Sequence, residues 1–217
     1  MFTCAKCGAK GCAKLDLDKS LKDCPSKHTE IQEAALRAYE DEENHRIAYN
    51  SACTEAHGYG TDTRLIEIMK FMHSCGYKRI GFAFCNGLKN EALEVTKILE
   101  YNGFEVVSVV CKNGATPKTW LGIEDKDTVR GHADREVMCN PVGQALALNA
   151  SHTDFNIMMG LCVGHDTLFL KYLEGPVTVL AVKDRVTGHA PLAPIYCAQG
   201  YYKSKFYPED PDAYKKG

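Results

Sequence analysis

Apolar positions in this chain change period part-way along, and the change divides it. Over residues 29–56 they recur at helical spacing, with Ile31, Ala34, Ala35, Ala38 and Tyr39 on one face. An acidic run, Glu40 to Glu43, follows; with His45 its carboxylates have the composition of a bridged metal site, but a solvated helix face explains them better. His57-Gly58-Tyr59-Gly60 breaks the pattern, and a second helix is predicted over 63–75, with Leu65, Ile68, Met69 and Met72 buried and Cys75 in the core. After Gly76 short continuous apolar runs alternate with amphipathic stretches. RIGFAFC (79–85), EVVSVVC (105–111), FNIMMGL (155–161) and VTVLAV (177–182) read as strands; 90–101, 141–149 and the segment from Asp166 through Tyr172 read as helices. Such alternation predicts an α/β fold: a three-layer open parallel sheet of about four strands, order 2-1-3-4, with right-handed crossovers. The switch point, where ligands bind in such sheets, then falls between 79–85 and 155–161.

The segments this predicts are a cysteine-rich module (1–28), a helical segment (29–60), the α/β domain (61–195) and a tail (196–217) rich in Tyr, Lys and Pro, expected to pack across the outside or against another copy of the chain. One connection is anomalous. Residues 112–137 carry Trp120 and many charges but little periodicity, and a connection that long in a compact domain suggests a lid.

With 217 residues, 45% hydrophobic and 25% charged, the composition is that of a soluble globular protein. The formal net charge of −2 gives no reason to expect nucleic acid, and no apolar run approaches a membrane span or a signal-peptide core. No Gly-x-Gly-x-x-Gly follows the first strand and no Walker-type loop occurs, so a nucleotide cofactor is not supported. The eleven cysteines are the exception to an ordinary composition. Their number is odd and no secretion signal precedes them, which points to thiols kept reduced in the cytoplasm for metal or chemistry.

Four of them, Cys4, Cys7, Cys12 and Cys24, are spaced C-x2-C-x4-C-x11-C in a stretch with almost no core formers. Such a stretch cannot order itself by burial, and a metal joining four thiolates is the natural explanation. Structural zinc usually shows two close pairs, whereas iron–sulfur loops tolerate uneven spacing and often end in Cys-Pro, as Cys24-Pro25 does. An iron–sulfur cluster, 4Fe-4S by preference, is therefore expected, with zinc as the alternative.

A second set lies at the strand ends. Cys85, Cys111 and Cys162 end three strands, and Cys139 stands before the helix opened by Pro141, where the helix dipole lowers a thiol pKa. Any one alone reads as a small buried hydrophobe; four at one edge suggest a cofactor-binding set. In the predicted strand order Cys85, Cys139 and Cys162 converge, with Cys111 one strand outward. His165, Lys183 and Asp166 are the catalytic candidates, and Asp184, Arg185 and His189 reach the same rim. Solvated-loop and helix-start readings of these polar residues stand beside the functional one.

Cys139-Asn140-Pro141-Val142-Gly143-Gln144-Ala145, Gly160-Leu161-Cys162-Val163-Gly164-His165-Asp166 and Lys183-Asp184-Arg185, behind a four-cysteine N-terminus, resemble a family of uncharacterised proteins from anaerobic microbes. The resemblance spans nearly the whole chain. Its members are described only as candidate metal-binding proteins with a cysteine-rich N-terminal segment, so it implies metal at Cys4, Cys7, Cys12 and Cys24 and no assigned activity. The chain departs from the family pattern at His189-Ala190, where an asparagine would follow the histidine. The leading expectation is an iron–sulfur protein acting on a small-molecule substrate or redox partner by elimination, sulfur transfer or electron transfer. A non-catalytic zinc protein is the alternative, and metal-free catalysis with Cys139 or Cys162 as nucleophile beside His165 is a third.

Overall fold

The computed structural model describes residues 1–210 and 212–214. The chain divides into two compact units, Met1–Thr63 and Arg64–Gly217.

The first unit opens with four short 3-10 turns, Cys4–Lys6, Gly11–Lys14, Leu17–Lys19 and Pro25–Lys27. Two helices follow, α1 (Thr29–Ala38) and α2 (Glu42–Gly58). The single helical stretch expected over 29–56 is thus two helices, and the acidic run explains the break. Asp41 leaves helical geometry and its side chain accepts from the Asn44 N–H at 3.0 Å, an N-cap, while Glu42 and Glu43 occupy the first turn of α2. These carboxylates start a helix. Among the described residues the buried apolar side chains all belong to the second unit.

The second unit runs α3 (Arg64–Ser74), β1 (Arg79–Phe84), α4 (Lys89–Tyr101), β2 (Glu105–Val110), α5 (Pro141–Ala150), β3 (Phe155–Met159), α6 (His165–Tyr172) and β4 (Val177–Ala181), then two short helices, α7 (Ala193–Tyr196) and α8 (Lys203–Phe206). The sheet is parallel throughout, in the order β2-β1-β3-β4, as the alternating pattern predicts. Period-two side-chain alternation builds the two outer layers. Ile80 and Phe82 of β1 join Phe155, Ile157 and Met159 of β3 under Ile68 and Met72 of α3 and Val95 and Leu99 of α4. Ala83, Met158 and Leu161 face the other way, onto Ala145 and Leu148 of α5 and Phe169 of α6. All five residues of β3 are buried, which is why that stretch reads as an unbroken apolar run.

Candidate functional site

The carboxyl ends of β1 and β2 stand level because the two strands pair in register, Phe84 opposite Val110, and the Cys111 N–H donates to the Phe84 carbonyl at 3.0 Å. The next residues of the two strands, Cys85 and Cys111, are therefore side by side. The polar connection after β2 returns to the same edge: Asn140 N–H donates to the Cys111 carbonyl at 2.7 Å. Asn140 also caps α5, accepting from Gly143 N–H at 2.8 Å, with Pro141 in the first turn where no donor is needed. The Asn113 amide donates to the carbonyls of Val110 (2.8 Å) and Asn140 (3.0 Å), and its oxygen accepts from the Asn140 amide at 3.1 Å. Cys139, just before this cap, is thereby held against Cys111.

Gln144, one turn further on, is completely buried, and its amide donates to Val109 O at 2.7 Å and Phe84 O at 3.2 Å, tying α5 to the carboxyl ends of both strands. Sequence reasoning missed Asn113, Asn140 and Gln144 as positioning residues. The signal was the uncharged polar residues of the CNPVGQA motif, which only a buried hydrogen-bonding role explains.

The sulfurs of Cys85, Cys111 and Cys139 and the His165 ring form an unbroken run of side-chain hydrogen bonds. Cys139 is pulled down to about 4 by the Cys111 thiol, then by the His165 ring and the charge of Lys112. Cys85 is pulled down to about 5, again first by Cys111, aided by the Gly87 N–H and Lys183. Cys111, buried between two thiolates, is pushed up and keeps its proton, although it also accepts from Asn86 N–H at 3.3 Å. Hydrogen bonding to Cys139 raises His165 above the ordinary imidazole value. The negative charge thus sits on the outer sulfurs, each beside a cation.

Cys111, expected one strand outward from the convergent set, is its central member, because the register of β1 and β2 and the return through Asn140 both lead to it. Cys162 lines the same cleft and accepts from Arg185 Nη2 at 3.2 Å. Asp166 turns its carboxylate back onto its own helix, accepting from Thr167 N–H at 2.7 Å, and is not among the residues lining the cleft. Lys183 crosses from the end of β4 to Cys85, its stem passing over Gly160. Gly160 is required there: its φ is +66°, and a Cβ would run into the Leu88 side chain. Asp184 holds its own loop, accepting from Val186 and Thr187 N–H, while its N–H donates to His189 Nδ1 at 3.1 Å.

These residues line a cleft of about 1010 Å³, whose far wall is the 112–137 connection. That connection is tied at its base by a bridge between Pro117 and Val137 and by a partly buried Lys118–Glu136 ion pair. Leu121 faces the cleft, whereas Trp120 is 72% exposed and does not line it. In the first unit Cys4 and Cys12 are exposed and Cys7 and Cys24 half-buried, on or beside the short turns. Among the described residues no group of three or more His, Cys, Asp or Glu side chains stands gathered to hold a metal ion.

Residues 24–180 match the family described as protein of unknown function DUF1847. The chain belongs to that family. It is also 43% identical over 206 residues to the uncharacterised protein MJ0455 of Methanocaldococcus jannaschii, covering 93% of this chain and 96% of that protein. No solved structure matches. The resemblance read from the CNPVGQA, GLCVGHD and KDR motifs is thus to an uncharacterised family without an assigned activity, as the comparisons show. Cys4, Cys7 and Cys12 lie outside the stretch matched by the family. No helix among the described residues is long and apolar enough to cross a membrane.

Proposed function

We propose that the strand-end cleft is a soft-metal centre, iron–sulfur by preference and zinc otherwise, in a cytoplasmic protein that acts on a small molecule or redox partner. The observation that carries this reading is the unbroken run of Cys85, Cys111, Cys139 and His165: three sulfurs and an imidazole, the donor set that soft metals select. By donor chemistry the residues fit; they lie in a row, and Cys85, Cys111 and Cys139 would hold the metal once the sulfurs turn toward it. Bound there, a cluster would supply electron transfer or Lewis acidity for an elimination or sulfur transfer. The chain's own residues do the rest. His165 holds a proton beside Cys139, Lys183 balances the charge on Cys85, and Arg185 anchors Cys162. All eleven cysteines are free thiols, which a reducing compartment maintains.

The N-terminal cysteines form, in the same reading, a structural metal site. What supports it is the absence of any buried apolar side chain from Met1–Thr63, which leaves this unit without a core of its own to order residues 1–28. Anaerobic purification with iron, zinc and sulfide analysis of wild type, Cys7→Ser and Cys111→Ser tests both sites. Each substitution is expected to remove metal from its own site. Unchanged stoichiometry in a variant would falsify the assignment of that site, and zinc without iron or sulfide would favour the non-catalytic alternative.

A second reading has its own observation. The Cys139–His165 hydrogen bond is the arrangement of a thiol nucleophile with its proton partner, and needs no metal. Metal-free protein in which one equivalent of iodoacetamide goes selectively to Cys139 would favour it.

A further inference from the structure

The cleft is cationic in a way the thiols alone do not explain. Six basic side chains line it, Lys112, Lys118, Arg130, Arg135, Lys183 and Arg185, against the carboxylates of Glu136 and Asp184. Both carboxylates are already committed. Glu136 is paired with Lys118 and accepts from Arg130 N–H at 3.1 Å; Asp184 accepts two N–H groups of its own loop. Neither is available to Arg130, Lys183 or Arg185. The two ionised sulfurs leave the lining still positive.

The placement of the charge follows strand order. Lys112 comes directly after Cys111 at the end of β2, one edge of the sheet, and Arg130 belongs to the wall built on that side. Lys183 and Arg185 follow β4, the opposite edge. At about 4.8 Å per strand spacing, the backbones of the two groups stand roughly 14 Å apart, and long basic side chains shorten that gap. The sulfur run, carried by the ends of β1 and β2 and the start of α5, lies between them. Helices α4, α5 and α6 all begin at this edge and point their positive ends the same way. Leu121, Ile123, Val129 and Met138 give the wall an apolar surface.

We propose that this cleft binds a small organic polyanion, with carboxylate or phosphate groups at both ends held by Arg130 and Lys112 on one side and Arg185 and Lys183 on the other, and its middle over the sulfurs. The inference rests on the cleft's being the functional site, and not on a metal being there. Two-ended charge is the specificity device: a monoanion satisfies one cation group and leaves the other unpaired.

The test is titration calorimetry of the full chain with citrate, succinate, pyrophosphate and, as the single-ended control, acetate, at low and high salt. Saturable binding of one polyanion per chain is expected, weakening as salt rises. Citrate or succinate binding without pyrophosphate assigns carboxylates; the reverse assigns phosphates. Arg130→Ala and Arg185→Ala are each expected to weaken binding roughly tenfold or more, while Lys97→Ala on α4 leaves it unchanged. Circular dichroism establishes that the variants fold, and the wild-type titration stands whether or not they do. No saturable binding of any polyanion, acetate binding as tightly as the rest, or affinity unaltered in both arginine variants overturns the proposal. Metal content is measured in the same samples. Polyanion binding without metal removes only the metal reading, and metal without polyanion binding removes only this one.

Discussion

At the scale of single residues, Cys111 decides the chemistry of its neighbours. It keeps its proton, and its single S–H, placed between the two neighbouring sulfurs, favours the charged forms of Cys139 and Cys85. A depressed pKa leaves the thiolate present above the folded-state value and lost as pH falls through it. In metal-free protein, alkylation of Cys139 by iodoacetamide should therefore persist as pH is lowered from neutrality toward about 5, with its inflection near 4. An ordinary thiol loses about tenfold in rate per unit below about 8.5. In Cys111→Ala the Cys139 inflection moves up; an inflection at the ordinary thiol value in wild type would show that the sulfur run does not exist in solution. Gly160 gives a second residue-level test. Gly160→Ala puts a Cβ at φ +66° against Leu88, and should cost about 1–3 kcal/mol in urea unfolding and displace Lys183.

Individual elements position the site through buried polar bonds more than through apolar contact. Gln144 of α5 feeds two carbonyls at the strands' carboxyl ends, at Phe84 and Val109, from a fully buried position. Gln144→Leu keeps the volume and removes the side-chain donor from both carbonyls; Phe84 O keeps the Cys111 N–H, so the cost falls mainly on Val109 O, at about 1–3 kcal/mol. A loss of that size in chemical denaturation is expected, together with a changed Cys139 alkylation rate; loss of neither would make the glutamine a passive filler. The 112–137 connection behaves differently. Its base is closed by the Pro117–Val137 bridge and the Lys118–Glu136 pair, while Trp120 lies outside on its surface. Trp120→Ala should change stability by no more than about 0.5 kcal/mol, because little of the ring is buried. If that replacement unfolds the protein, Trp120 is core and the connection is scaffold. If the connection is also a lid, the same variant loses its metal faster in air.

For the whole molecule, the apolar pattern determined the sheet and the geometry of the edge determined the site. Continuous apolar runs separated by amphipathic stretches leave a parallel sheet as the only way to bury both, so strand order and the location of the cleft were legible from residues 79–182 alone. The division of the helical stretch at Asp41 was not read from the sequence, because the same acidic residues serve equally as a solvated face or as a cap until backbone geometry chooses. Of the strand-end cysteines, the sequence determined that Cys85, Cys111 and Cys162 end strands and that Cys139 precedes a helix. Only the tertiary structure decided which of them touch. Contact depends on the β1–β2 register, on the Asn140 bond that returns the chain to Cys111, and on the bond that joins Arg185 to Cys162. These are long-range hydrogen bonds between groups 23 or more positions apart, and no periodicity along the chain encodes them. The same holds for Asp166, whose place in the GLCVGHD motif suggested the cleft and whose carboxylate accepts from the neighbouring Thr167 N–H and does not line the cleft.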